Sequence, residues 1–284
     1  MTLNIQHLTK TYRDKAALKD ITLTIEPNTI YGLLGRNGAG KSTLLNIINN
    51  RSLPTEGMIE LNQHSVIDNE KALRHLYLMS EDNLYPSTMK IKEMFKISEA
   101  FYGSFDWELA EKMRADFDLP IKKQVRKLST GYRSIAKLIV ALCVPCDYIF
   151  LDEPVLGLDA NHREMFYSFL LESYEERPRT FVISTHLIEE ISNLLEEVII
   201  VDRGRITHQA SVEAILTSAK IISGPKEELL PFMDDLPVIG KEELGNLLTL
   251  YTQGTFTTNL PDTVTVKPLP LQQYFIQLTQ KGRR

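Results

Sequence analysis

Residues 3–8 and 21–25 alternate apolar and polar side chains, the period of a strand that buries one face. Turn-prone Arg13, Asp14 and Lys15 lie between them, so the chain is expected to open with antiparallel sheet. Residues 29–34 form a denser apolar run that stops at Gly35, and residues 42–48 then take up helical spacing. The pattern predicts a strand, a glycine-rich turn and a helix in direct succession.

Residues 92–125 are rich in Glu, Lys, Met, Phe and Ala, with helical spacing interrupted at Gly103 and Pro120; they read as a helical insertion. From Ser129 onward Ile135, Leu138, Ile139 and Leu142 fall at i, i+3, i+4 and i+7, one face of a helix that ends before Pro145. Residues 148–151 and 181–184 are unbroken apolar or β-branched runs, as expected of central parallel strands covered on both faces, with a helix around 164–175 between them. Beyond Gly204 the texture changes. Two helices are expected there, one opening at Pro225 and one carrying Leu271, Tyr274, Phe275 and Leu278 on a single face, with strands near 247–251 and 263–266. The expected division is therefore a first domain over 1–210, with a helical subdomain at about 82–140, and an extension over 211–284 to which no role can be assigned.

Charge and composition narrow the function. The 32 Lys and Arg against 37 Asp and Glu leave a formal charge of -5, which offers no broad basic face for a phosphate backbone, so nucleic acid is not expected as a partner. The most apolar runs, 138–144 and 198–201, are far shorter than the roughly 20 residues that span a bilayer. The start is polar and alternating, unlike a signal peptide, and residence in the cytoplasm is expected. Cys143 and Cys146 have a C-x-x-C spacing. A zinc site would need two more ligands and a redox pair would open a helix, whereas these residues close one; inert buried thiols are expected.

Gly35-Arg36-Asn37-Gly38-Ala39-Gly40-Lys41-Ser42 fits the G-x-x-x-x-G-K-[ST] pattern in the strand-to-helix setting that it requires. Backbone N–H groups and the positive end of the helix would cradle phosphates, Lys41 would neutralise β/γ charge, and Ser42 would help to hold Mg²⁺. Asp152 and Glu153 end the apolar run 148–151. Strand alternation would send Asp152 to a metal shell and Glu153 toward an attacking water.

Leu128-Ser129-Thr130-Gly131-Tyr132 resembles the LSGGQ signature of ABC ATPases, and it precedes the carboxylate strand as it does in that family. Tyr12 resembles the aromatic that stacks on adenine, Leu158-Asp159 the D-loop, and Ser184-Thr185-His186 the switch histidine after its strand. The resemblance covers about residues 1 to 210. It implies an α/β P-loop NTPase core with an N-terminal antiparallel β subdomain, a helical insertion and a small α+β C-terminal extension. It further implies ATP held by Tyr12, Gly35, Asn37, Gly38, Gly40, Lys41, Ser42 and Thr43 of one chain and by Ser129 and Gly131 of the facing chain, with Asp159 also at the nucleotide. Glu153 and His186 would be catalytic, and Ser42, Asp152 and Glu81 would lie near Mg²⁺. The implied partners are a second ATPase subunit and a membrane permease docking near residues 81–105, where Tyr85, Met89, Met94, Phe95, Phe101 and Tyr102 are candidates for the interface. That would place the chain at the cytoplasmic face of the membrane.

Two departures stand out: Thr130 and Tyr132 replace Gly and Gln in the signature, and Glu81 occupies the Q-loop position. With the short C-terminal extension, Glu81 resembles ABC-2 type exporters of bacteria, so export is the expected direction. A soluble ABC ATPase acting on ribosomes or DNA is the alternative, although neither a second cassette nor long coiled coils interrupt this chain.

Overall fold

The computed structural model describes residues 1–82, 84–257 and 259–280. Asn83, inside the expected docking segment, and Thr258 and residues 281–284, inside the expected extension, lie outside the described residues. The chain packs as two compact units: Met1–His186 with Val201–Thr207, and Leu187–Ile200 with the chain from His208 on.

In chain order the first unit runs β1 (Leu3–Tyr12), β2 (Lys15–Ile25), β3 (Ile30–Leu34), α1 (Lys41–Ile48), β4 (Glu56–Leu61), β5 (His64–Ser65), α2 (Glu70–Leu73), β6 (Leu76–Met79), α3 (Ile91–Tyr102), α4 (Trp107–Asp116), α5 (Thr130–Cys143), β7 (Tyr148–Asp152), α6 (Ala160–Glu176) and β8 (Thr180–Ser184). The antiparallel opening forms a sheet in the order β2-β1-β4-β5. Leu3 and Ile5 of β1 point inward, and the next inward residue is Leu8, because the register shifts between Ile5 and Leu8. His7 absorbs that bulge at φ +50 and its Nδ1 lies 2.8 Å from Asp20 Oδ1 across the hairpin.

β3, β8, β7 and β6 lie side by side and parallel. Every residue of the four is buried, which is why their sequences show no alternation. Parallel strands share a carboxyl edge, and here it gathers the chain leaving β3 at Gly35, β6 at Ser80, β7 at Glu153 and β8 at Thr185. The helical insertion rests on Ile91, Met94 and Phe95 of α3 and Leu109, Ala110 and Met113 of α4. Among the expected interface residues, Met94 and Phe95 therefore belong to the insertion's own core. Phe101 is 75% exposed, and Tyr85, Met89 and Tyr102 are half-buried.

The remaining elements are α7 (Ile188–Ile191), β9 (Glu197–Asp202), β10 (Arg205–Ser211), α8 (Val212–Ser218), β11 (Ala219–Pro225), α9 (Lys226–Leu229), β12 (Val238–Leu244), β13 (Leu247–Gln253), β14 (Thr265–Pro268) and α10 (Leu271–Gln280). The second unit contains an antiparallel sheet in the order β12-β13-β11-β14, with Ile222, Leu229, Leu236, Leu248 and Leu250 as a core. The helix expected at Pro225 is only the single turn α9, because Pro231 lacks the N–H that would extend it and a 3-10 turn, Leu230–Phe232, follows. On α10 the buried residues are Leu271, Tyr274, Gln277 and Thr279, while Phe275 and Leu278 are half-buried; the face is rotated from the expected one. Gln277 is buried against Gly240 of β12, where its side chain leaves no room for a β-carbon, and its amide lies 3.4 Å from Glu242 Oε1. Cys143 ends α5, Cys146 follows it, and both are free and buried. Burial pushes both thiols up, Cys146 to about 12, so they are inert as expected.

Candidate functional site

The run from Gly35 to Lys41 leaves the buried strand β3 and enters α1 without a capping side chain. Gly40 is the N-cap, at φ +115, and no acidic residue stands in the first turn. A β-carbon at Gly40 would meet Ala17 O at 2.8 Å, so both the turn and its close seat on β2 require glycine. The loop is held by Ala39, whose N–H donates to Arg36 O and whose carbonyl accepts from Gly204 N–H at 2.8 Å. The first N–H groups of α1 thus have no side-chain acceptor and point with the helix dipole into the adjoining cleft, the arrangement that receives an anion.

Lys41 is only 7% exposed, and its Nζ donates to Gly35 O at 2.7 Å. Burial lowers its pKa, while the nearby carboxylates Glu153 and Asp152 work in the opposite direction. Asp152, the last residue of β7, is also 7% exposed, and its Oδ1 is buried with no hydrogen-bond partner. An orphaned carboxylate oxygen beside a buried cation at a helix N-terminus suits a triphosphate accompanied by a divalent metal.

The separation of the two carboxylates has a different cause from simple alternation along a strand. β7 stops at Asp152, and Glu153 takes φ +48, a left-handed kink whose N–H donates to Ser184 O at 2.8 Å. The kink turns the Glu153 carboxylate toward His186, whose Nδ1 lies 2.9 Å from Oε2. One cleft of about 1110 Å³ is lined by Tyr12, Asn37, Gly38, Gly40, Lys41, Ser42, Thr43, Glu81, Asp152, Glu153 and His186. Gly35 lies behind it, joined through its carbonyl to Lys41. Tyr12 is 48% exposed, its ring covered on one side by Lys10 Nζ at 4.8 Å.

Ser129, Gly131 and Asp159 are elsewhere, in a second hollow of about 380 Å³ with Leu158 and His162. Ser129 is the N-cap of α5, and its exposed hydroxyl accepts from Tyr132 N–H at 3.2 Å. A β-carbon on Gly131 would meet Gly157 O at 2.9 Å, a close approach that requires glycine there. Asp159 caps α6 through His162 N–H at 3.0 Å and the His162 ring at 2.7 Å; the backbone bond first, then the ring bond, hold its carboxyl below the ordinary value. The cleft also includes Lys15, Lys19, Arg203 and Gly204, none of which was anticipated. The available signal for the last two was the turn-forming Asp202-Arg203-Gly204 after the apolar run 198–201; in the structure Arg203 and Gly204 take φ +48 and +80.

Residues 18–156 match the family model described as ABC transporter. With the phosphate loop, the signature, the two carboxylates and the histidine in this arrangement, the match decides the family. The chain belongs to the ABC ATPases. It is an ATP-binding subunit of an ABC transporter, and it hydrolyses ATP. Similar proteins include the ABC transporter ATP-binding protein YtrB of Bacillus subtilis, 27% identical over 75% of this chain and 73% of that one. The Nod factor export ATP-binding protein I of Cupriavidus metallidurans is 27% identical over 88% of this chain and 86% of its own. Among solved structures, a dimeric ATP-binding cassette in a post-hydrolysis state bound to ADP and phosphate superposes with a TM-score of 0.66 at 23% identity, covering 74% of this chain and 98% of that one. The fold of this ABC ATPase is thus that of known cassettes.

Proposed function

We propose that two copies of this chain, or this chain and a sister ATPase, close head to tail over two ATP molecules and thereby drive a separate membrane subunit. The observation that carries the reading is the split of the site. Lys41, Asp152, Glu153 and His186 line one cavity and Ser129, Gly131 and Asp159 another, so a phosphate seated on Lys41 needs a second chain to meet a signature.

Within the cleft, the α1 N-terminus and Lys41 bind and orient the β- and γ-phosphates, and Tyr12 offers its exposed face to the adenine. Ser42 and Asp152 would hold Mg²⁺, with Glu81 beside it, and a divalent ion there would supply positive charge to the phosphate oxygens. Glu153 accepts the proton of the attacking water, and His186 fixes the direction of that carboxylate. Loss of the γ-phosphate removes the bond between the facing chains, so the dimer loosens with each turnover.

The groove between the insertion and the core, about 450 Å³ and lined by Tyr85, Met89, Phe101 and Tyr102, is the proposed seat of the membrane subunit. That subunit would hold the chain at the cytoplasmic face; among the described residues no helix is long and apolar enough to cross a membrane. Export is the favoured direction, supported by Glu81 and by similarity to the Nod factor export protein along most of both chains.

Glu153→Gln tests the reading. The variant is expected to bind ATP with wild-type affinity, to lose at least about a hundredfold in turnover, and to elute as an ATP-trapped dimer on gel filtration. Wild-type turnover by this variant removes Glu153 from the role of base.

A further inference from the structure

Lys137 lies on α5, eight residues beyond the Ser129 cap, roughly 12 Å along the helix at 1.5 Å per residue. Its half-buried ammonium spends all three N–H donors on three consecutive backbone carbonyls: Ser80 O at 3.0 Å, Glu81 O at 2.8 Å and Asp82 O at 2.9 Å. These residues form the segment that leaves β6. Glu81 lines the nucleotide cleft, whereas Ser80 and Asp82 line the groove. One side chain therefore joins three places: the helix that begins at the signature, the loop beside the phosphate site, and the wall of the groove.

We propose that Lys137 is a positioning residue for ATP hydrolysis, fastening the Glu81 loop to α5 so that the nucleotide cleft, the groove wall and the signature helix move as one body. The inference rests on the roles proposed above for the cleft and the signature hollow. Charge-assisted bonds from an ammonium to carbonyls are stronger than neutral ones, and three from one atom fix the loop in all directions. Burial lowers the Lys137 pKa; the Asp82 and Glu81 carboxylates oppose that shift, and Arg133 and Arg51 add to it. Residues 81 and 82 are exposed, so two of the three carbonyls find water once the ammonium is removed; only Ser80 O, on a buried residue, is left short of a donor. Loss of the pin should therefore disturb turnover far more than stability.

The test compares Lys137→Met, which keeps the apolar stem, and Lys137→Arg, which keeps a multiple donor, in the full chain, with ATP and MgCl2 as the probes. For Lys137→Met we expect kcat to fall about tenfold, KM for ATP to stay within about twofold, and the Mg²⁺ activation midpoint to rise several-fold. Amide exchange at residues 81 and 82 should quicken while the melting temperature changes little. Lys137→Arg should recover most of kcat. Should Lys137→Met fail to fold, Lys137→Gln, with fewer donors, is read in the same way. Wild-type kcat and Mg²⁺ midpoint in a folded Met or Gln variant overturn the inference and leave the nucleotide site standing. Failure of the wild type itself to bind or hydrolyse ATP strikes the site reading instead, and this inference falls with it.

Discussion

Single side chains in this ABC ATPase serve by where the fold strands them. Lys41 and Asp152 are each driven nearly out of water, and each is left with bonding capacity that its own chain does not use up. Arg179, 3% exposed, is turned to structure instead: its guanidinium donates to Leu142 O at 2.5 Å, Val144 O at 2.8 Å and Ser173 Oγ at 2.6 Å, while Nε is left without a partner. It closes the open carbonyl end of α5 and stacks on Phe181 at 5.3 Å. Burial lowers its pKa to about 10, still well above neutrality, so the charge persists. Arg179→Met would take the donor from two carbonyls and a hydroxyl and is expected to cost about 3 kcal/mol of stability in urea unfolding, with little change in turnover per folded molecule.

Among elements, α5 has two ends with different tasks. Its carboxyl end is the buried stop just described, and its amino end presents Ser129. If the hydroxyl were only a cap, Ser129→Ala would cost about 1 kcal/mol and leave catalysis alone. On the proposed assembly it should also lower turnover at least about tenfold and abolish ATP-dependent dimerisation, measured by ATPase assay and light scattering. How much of each element the sequence announced follows its burial. β3, β7 and β8 are sealed on all sides and read as unbroken apolar runs, and the phosphate loop, carboxylates and histidine fell at readable positions on their ends. The Glu153 kink was not legible, because strand alternation gives no warning of a left-handed residue one step past the strand. β12 escaped for another reason. It carries Lys241, Glu242 and Glu243 and is mostly exposed, so it lacks the apolar rhythm by which strands are recognised. On α10 the packing of Gln277 on Gly240 of β12, a partner far away in the sequence, turned the buried face away from the apolar periodicity.

At the scale of the whole molecule, two units on one chain need not share one response to conditions. The second unit holds His208 half-buried, edge-on to Tyr274 at 6.5 Å, and burial lowers its pKa. Below the ordinary value of 6.5 the unfolded chain takes up a proton that the folded unit accepts only at lower pH. The stability contributed by the neutral ring is thus present above that pH and lost as pH falls below it. Melting curves recorded between about pH 7 and pH 5 should drop with acidification, and His208→Phe should flatten the drop, most visibly in probes of the second unit.

Because Cys143 and Cys146 are sealed at the foot of α5 with their thiols held in the protonated form, the folded chain is silent toward maleimide chemistry. A fluorophore or spin label attached through a cysteine introduced near the signature would therefore report without competition from the native pair. The opening and closing of the assembly could be followed in real time on the otherwise unaltered chain.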